Sequence, residues 1–175
     1  MKIAIIGFSG SGKSTLASKL SQFYHIDVLY LDTIFFKPNW EERNKQEFEG
    51  LIQQFMDTHD SWIIEGNYLK YAPHRFQEAN QILYLSYHRF FCLASVIKRY
   101  RENKNKTRVS MAEGCQEKLD FNFLWQVFYA GRKRKKRKRL KAITRACPQG
   151  LMFKNRKALH QYLRNLGVEN YEAGM

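Results

Sequence analysis

The sequence predicts an α/β protein of the P-loop NTPase class: a five-stranded, mostly parallel sheet flanked by helices, in a single domain spanning 1–175. Two observations carry that prediction. Gly7-Phe8-Ser9-Gly10-Ser11-Gly12-Lys13-Ser14 matches the full G-x-x-x-x-G-K-[ST] pattern, between the apolar run Lys2-Ile3-Ala4-Ile5-Ile6 and a helical spacing of Leu16 and Leu20. Further short apolar runs then alternate with stretches of helical apolar spacing, as parallel strands joined by helical crossovers do.

The first apolar run reads as a buried strand. The glycines after it let the backbone turn tightly and aim consecutive N–H groups inward as an anion nest. A helix starting at the end of that loop presents its positive end to a phosphate. Gly7, Ser9, Gly10, Ser11, Gly12, Lys13, Ser14 and Thr15 are therefore the expected ATP-binding residues. Lys13 is expected at the β- and γ-phosphates, and Ser14 at Mg²⁺.

The second strand is expected over 26–31, ending at Asp32. Ligand groups gather at the carboxyl ends of strands in an open parallel sheet, so Asp32 reads as a carboxylate that orients an acceptor or associates with Mg²⁺. The aromatic stretch that follows, with Phe35 and Trp40, reads as a wall of an acceptor pocket or as a cover over the core. Phe48, Leu51, Ile52, Phe55 and Met56 have the spacing of a core-facing helix. Trp62-Ile63-Ile64 reads as the third strand, ending at Glu65, a Walker-B-type acid for Mg²⁺. Asn67 and Arg75 in the loop beyond are expected at the acceptor, with Arg75 as a phosphate clamp.

A fourth strand is expected over 81–86 and a helix over about 89–104, with a basic end that includes Arg99 and Arg101. Leu119, Phe123, Leu124, Val127 and Phe128 have the spacing of another amphipathic helix. Arg132 to Arg139 is an unbroken basic run, which on a helix goes all the way round and reads mainly as a solvated face. Leu151-Met152-Phe153 is the expected fifth strand, and Asn155 the N-cap of a last helix stopped by Gly167.

Charge is unevenly placed. Of the net +14, residues 98–157 carry +16, while the stretches before and after carry −1 each. That concentration implies an anionic partner: nucleotide phosphates, or non-specific nucleic acid through the basic segment. No run is long enough for a membrane span, and the cysteines and histidines show neither a disulfide framework nor zinc spacing, so a cytoplasmic protein is expected.

Trp62-Ile63-Ile64-Glu65-Gly66-Asn67-Tyr68 and Met111-Ala112-Glu113-Gly114-Cys115, together with the phosphate loop, Leu31-Asp32 with Trp40, and Lys106-Thr107-Arg108, resemble the bacterial DNA topology modulation proteins. Those look like adenylate-kinase-like P-loop kinases. The resemblance implies ATP and Mg²⁺ as cofactors, with residues 98–141 as a basic helical lid over the ATP. It implies Arg99, Arg101 and Arg108 as cations for the transferring phosphoryl group, and Asn155 and Arg156 beside the adenine. Nucleoside monophosphate kinases place an arginine early in the acceptor region. Here the span 20–42 holds Lys37 and no arginine, and Arg43 comes next. The expected activity is phosphoryl transfer from ATP to an acceptor the sequence does not name. The alternative is an ATP-binding, DNA-associated regulator that affects DNA topology through 132–139.

Overall fold

The computed structural model describes residues 1–102, 110–112 and 119–168. In chain order its elements are β1 (Lys2–Gly7), α1 (Lys13–Tyr24), β2 (Val28–Tyr30), α2 (Leu31–Phe35), β3 (Phe36–Lys37), β4 (Glu41–Glu42), α3 (Lys45–Thr58), β5 (Trp62–Glu65), α4 (Arg75–Glu78), β6 (Gln81–Leu85), α5 (Arg89–Glu102), α6 (Phe121–Phe128), α7 (Arg134–Ala146), β7 (Gln149–Phe153) and α8 (Arg156–Asn165).

Five strands form one parallel sheet in the order β2-β5-β1-β6-β7. The central strands are buried on both faces, which is why β1, β5 and β6 read as continuous apolar runs. Leu16, Ala17 and Leu20 of α1, Phe48, Ile52 and Met56 of α3, Cys92 and Val96 of α5, Leu140 of α7 and Leu159 and Leu163 of α8 supply the helical side of the core. Because the strands are parallel, their carboxyl ends lie along one edge. The phosphate loop, Asp32, Glu65 and the start of α8 all follow strand ends on that edge, where ligands bind in open α/β sheets.

The second strand is shorter than the sequence suggests. It stops at Tyr30, and Leu31–Phe35 turns into a short helix that carries Asp32 and ends in the small β3–β4 hairpin. The predicted Asn155 cap is present: its Oδ1 accepts from the Ala158 N–H at 2.9 Å. The basic run is not one solvated helix. Ala130–Arg132 is a 3₁₀ turn and α7 begins only at Arg134, with Leu140 and Thr144 facing the core.

Candidate active site

The phosphate loop is shaped by two left-handed residues. Gly10 (φ +77°) passes so near α5 that a Cβ there would stand 2.3 Å from the Cys92 carbonyl oxygen, and Gly12 (φ +87°) leads into α1. Side chains larger than hydrogen fit neither conformation well. No side chain caps α1, so its first-turn N–H groups remain donors at the mouth of the loop. The Ser11 hydroxyl is buried in the loop without a hydrogen-bond partner, a donor suited to a phosphate oxygen.

Glu65 closes the loop from the neighbouring strand. Its Oε2 accepts from the Ser14 hydroxyl at 3.0 Å, and its Oε1 lies 3.5 Å from Lys13 Nζ. Lys13 also reaches the Phe8 carbonyl oxygen at 3.4 Å. Glu65 is 4 % exposed, and burial pushes its carboxyl up from the ordinary range; Lys13 opposes the shift, and the charge of Asp32 adds to it. A buried carboxylate beside a serine hydroxyl is a hard-oxygen donor pair that fits Mg²⁺. Among the described residues no cluster of three or more His, Cys, Asp or Glu forms a protein-only metal cage. Mg²⁺ at a phosphate loop needs none, because it takes one or two carboxylates plus substrate phosphates.

Asp32 stands across from this group. Its Oδ1 accepts from the Tyr68 hydroxyl at 2.6 Å. Burial first, then Asp32, raises the Tyr68 pKa, so Tyr68 stays a phenol and keeps donating. One Asp32 carboxylate oxygen is thereby fixed in direction.

Three expected acceptor residues have other work. Asn67 pairs its side-chain amide with the main chain of Gly7: Oδ1 accepts from the Gly7 N–H at 3.0 Å, and Nδ2 donates to the Gly7 carbonyl at 2.7 Å. The amide thus extends the β1–β5 ladder one step beyond the last strand pair. Arg75 is fully buried, not a phosphate clamp. Its guanidinium donates to the carbonyls of Tyr71, Ala72, Asn67 and Tyr68, moulding the loop that presents Asn67 and Tyr68. Burial lowers its pKa to about 9, still high enough to keep the charge at neutral pH. Phe35 is a buried member of an aromatic cluster with Phe36, Phe48, Tyr68 and Tyr71, so it covers the core. Trp40 packs edge-on against Phe36 in the turn between β3 and β4.

Replacing Asn67 by alanine strips two buried main-chain groups of Gly7 of their partners. The variant is expected to lose about 1–3 kcal/mol of stability, read as a lowered urea midpoint. An unchanged midpoint would show that water takes over both bonds.

Arg99 and Arg101 occupy the last turn of α5, and Arg108 lies outside the described residues. Two cations that the sequence placed in the basic run and the lid, without a role of their own, come to the loop. Arg132 donates to the carbonyls of Val127 (2.9 Å) and Tyr87 (2.8 Å), and its guanidinium lies over the Phe8 ring, 4.0 Å from its centroid. Lys136, half-buried on α7, has its pKa lowered by burial and by the nearby charge of Lys13. Arg139 of the same helix donates to the Leu69 carbonyl at 2.6 Å. At the end of β7, Asn155 is committed to its cap and Arg156 lies over the Phe91 ring at 4.6 Å.

No protein-family model matches the sequence, and no curated protein matches it. Solved structures do. TT1252 from Thermus thermophilus superposes with a TM-score of 0.55 at 14 % identity, covering 95 % of this chain and 97 % of that one. Shikimate kinase from Bacteroides thetaiotaomicron superposes with a TM-score of 0.50 at 14 % identity, covering 95 % of each chain. The fold is that of a P-loop NTPase. Both likenesses extend over nearly the whole chain. No helix among the described residues is long and apolar enough to cross a membrane.

Proposed function

We propose that this protein is a phosphotransferase that uses ATP and Mg²⁺ to phosphorylate a hydroxyl acceptor in the cytoplasm. The observation that carries this reading is Glu65, bonded at once to Lys13 and Ser14 of the phosphate loop, with Asp32 close enough to shift its ionisation. In this reading the loop amides and Lys13 hold the β- and γ-phosphates. Ser14 and Glu65 are the residues for Mg²⁺, which when bound neutralises phosphate charge. The acceptor oxygen forms its bond to the γ-phosphorus as the bond from that phosphorus to the β–γ bridging oxygen breaks. ADP leaves with the electron pair, and the acceptor proton passes to Asp32. Catalysis of this kind is mainly positioning and charge neutralisation. The described part of residues 98–141 acts as the lid: Arg132 and Lys136, with Arg99 and Arg101, surround the transferring group and exclude water. Asn155 and Arg156 border the adenine, and Trp40 flanks the acceptor.

A second reading, an ATP-binding DNA-associated regulator, is supported by the likeness of residues 62–68 to the DNA topology modulation proteins. The exposed cations Lys133, Arg134, Lys135, Arg137 and Lys138 also favour it, as does the exposed aromatic row of Phe121 and Trp125 on α6 and Tyr129 at its C-terminal cap. One experiment separates the two. ADP release is followed with Mg²⁺ against nucleosides, nucleoside monophosphates, small hydroxylated compounds and 5′-hydroxyl oligonucleotides. An acceptor that raises ADP release above the hydrolysis background and appears phosphorylated establishes the kinase. If none does, and DNA alone changes ATP affinity or hydrolysis, the second reading replaces it.

A further inference from the structure

The two sides of the site differ in which charges they leave open: cations on the donor side, carboxylates on the acceptor side. The donor side has Lys13, Arg132 and Lys136 at the phosphate loop. The acceptor side is built from the segments at and beyond the carboxyl ends of β2 and β5, residues 31–49 and 65–75, which hold six carboxylates against five lysines and arginines. Three of those carboxylates, Asp32, Glu65 and Glu42, act together on the Tyr68 hydroxyl, and Asp32 is bonded to it directly.

Four of the five cations of that side are already matched, and the fifth, Lys70, is exposed to solvent. Lys37 lies 3.6 Å from Glu47 and 3.8 Å from Glu41, and Arg43 binds Glu47 through Nη1. Lys45 pairs with Glu49 at 3.9 Å. Arg75 is enclosed among four main-chain carbonyls. Arg43 keeps a buried Nε without a partner, so it still offers a hydrogen bond although Glu47 balances its charge.

A phosphate or carboxylate on the acceptor would enter a field of like charge, near Asp32, and would have to displace Glu47 from Lys37 and Arg43. An uncharged hydroxyl compound meets neither obstacle, and an ammonium group gains from the surrounding carboxylates. We infer that the acceptor is an uncharged or ammonium-bearing hydroxyl compound, without phosphate or carboxylate. This deepens the phosphotransferase reading and rests on it. The transferred group and the proton move as described above; only the rest of the acceptor is specified further.

The test uses matched probes on one skeleton: glucosamine, glucose and gluconate, and adenosine with adenosine monophosphate, each followed by ADP release and by detection of the phosphorylated product. The uncharged or ammonium member of the accepted set is expected to exceed its anionic analogue at least tenfold in kcat/KM. Glu47→Gln frees Arg43 and leaves Lys37 with Glu41, while keeping a side chain suited to this position, whose main-chain N–H the Asn44 side chain caps. It is expected to narrow that ratio several-fold. A parent enzyme that prefers the anionic analogue overturns the inference and leaves the phosphotransferase standing. An unchanged ratio in Glu47→Gln also counts against it, since Glu47 would then not govern the acceptor-side charge. Acceptance of no hydroxyl compound, charged or not, overturns the phosphotransferase and this inference together.

Discussion

Replacing Lys13 by methionine is expected to lower acceptor-dependent ATP turnover by on the order of 10²–10³, the loss seen when one charge-stabilising donor is removed from a preorganised site. Methionine keeps the apolar stem and removes only the ammonium. That group is held between the Phe8 carbonyl and Glu65, so it is aimed before any nucleotide arrives. The fold should survive. Glu65 loses its cation, but its carboxyl is already pushed towards the neutral form by burial and keeps the Ser14 hydroxyl as donor. The melting temperature should therefore stay within about 2–4 °C of the parent, a stability change of roughly 1 kcal/mol. The measurements are ADP release at saturating acceptor and a thermal melt by circular dichroism. Parental turnover in a folded variant would remove the phosphate loop from the chemistry altogether.

The parts of this site legible in the sequence are the local ones. The phosphate loop is a contiguous motif whose strand, turn and helix lie within the first 24 residues, and Glu65 is announced by the apolar run before it. Asp32 was legible as a strand-end carboxylate, although the short helix that carries it was not: Leu31–Phe35 is set by tertiary packing of Phe35 into the aromatic cluster, and its sequence has no helical repeat to read. Asn67 and Arg75 show the limit. Both are polar residues in a loop beyond a strand end, where substrate contacts are the natural reading, and only the fold shows that their partners are main-chain groups. The contacts of Asn67 to Gly7 span 60 positions in sequence, too far for any local pattern. Full burial of an arginine is rare enough that no pattern suggests it either. The same limit applies to the basic run. Eight consecutive cations look equivalent in sequence, and only the placement of α7 against the sheet distinguishes Arg132 and Lys136, at the loop, from their solvent-facing neighbours. One signal was present: Leu140 and Thr144 give α7 a buried stripe, and the turn of helix before it fixes which basic residues share that face.

Asp32→Asn is expected to lower kcat by about 10²–10⁴ if the carboxylate takes the acceptor proton. ATP binding should be unchanged, because the phosphates are held by the loop amides and Lys13. The asparagine is nearly isosteric and can still accept the Tyr68 hydrogen bond, so the turn and the aromatic cluster beneath it are kept. Asp32→Ala removes the proton acceptor and the orienting oxygens together, so the pair of variants divides the two roles. Equal losses in Asn and Ala assign proton removal to Asp32. A mild loss in Asn with a severe one in Ala assigns orientation. The second pattern is physically reasonable, since a loose phosphoryl-transfer transition state leaves much of the proton on the acceptor until late in the reaction. Tyr68 bears on the same division, because its hydroxyl fixes one Asp32 oxygen and thereby the direction of the other. If neither variant changes kcat in a folded protein that still binds ATP, the acceptor does not approach from the β2 end of the sheet. The carboxylates gathered around Tyr68 would then serve to hold the loop, not the substrate.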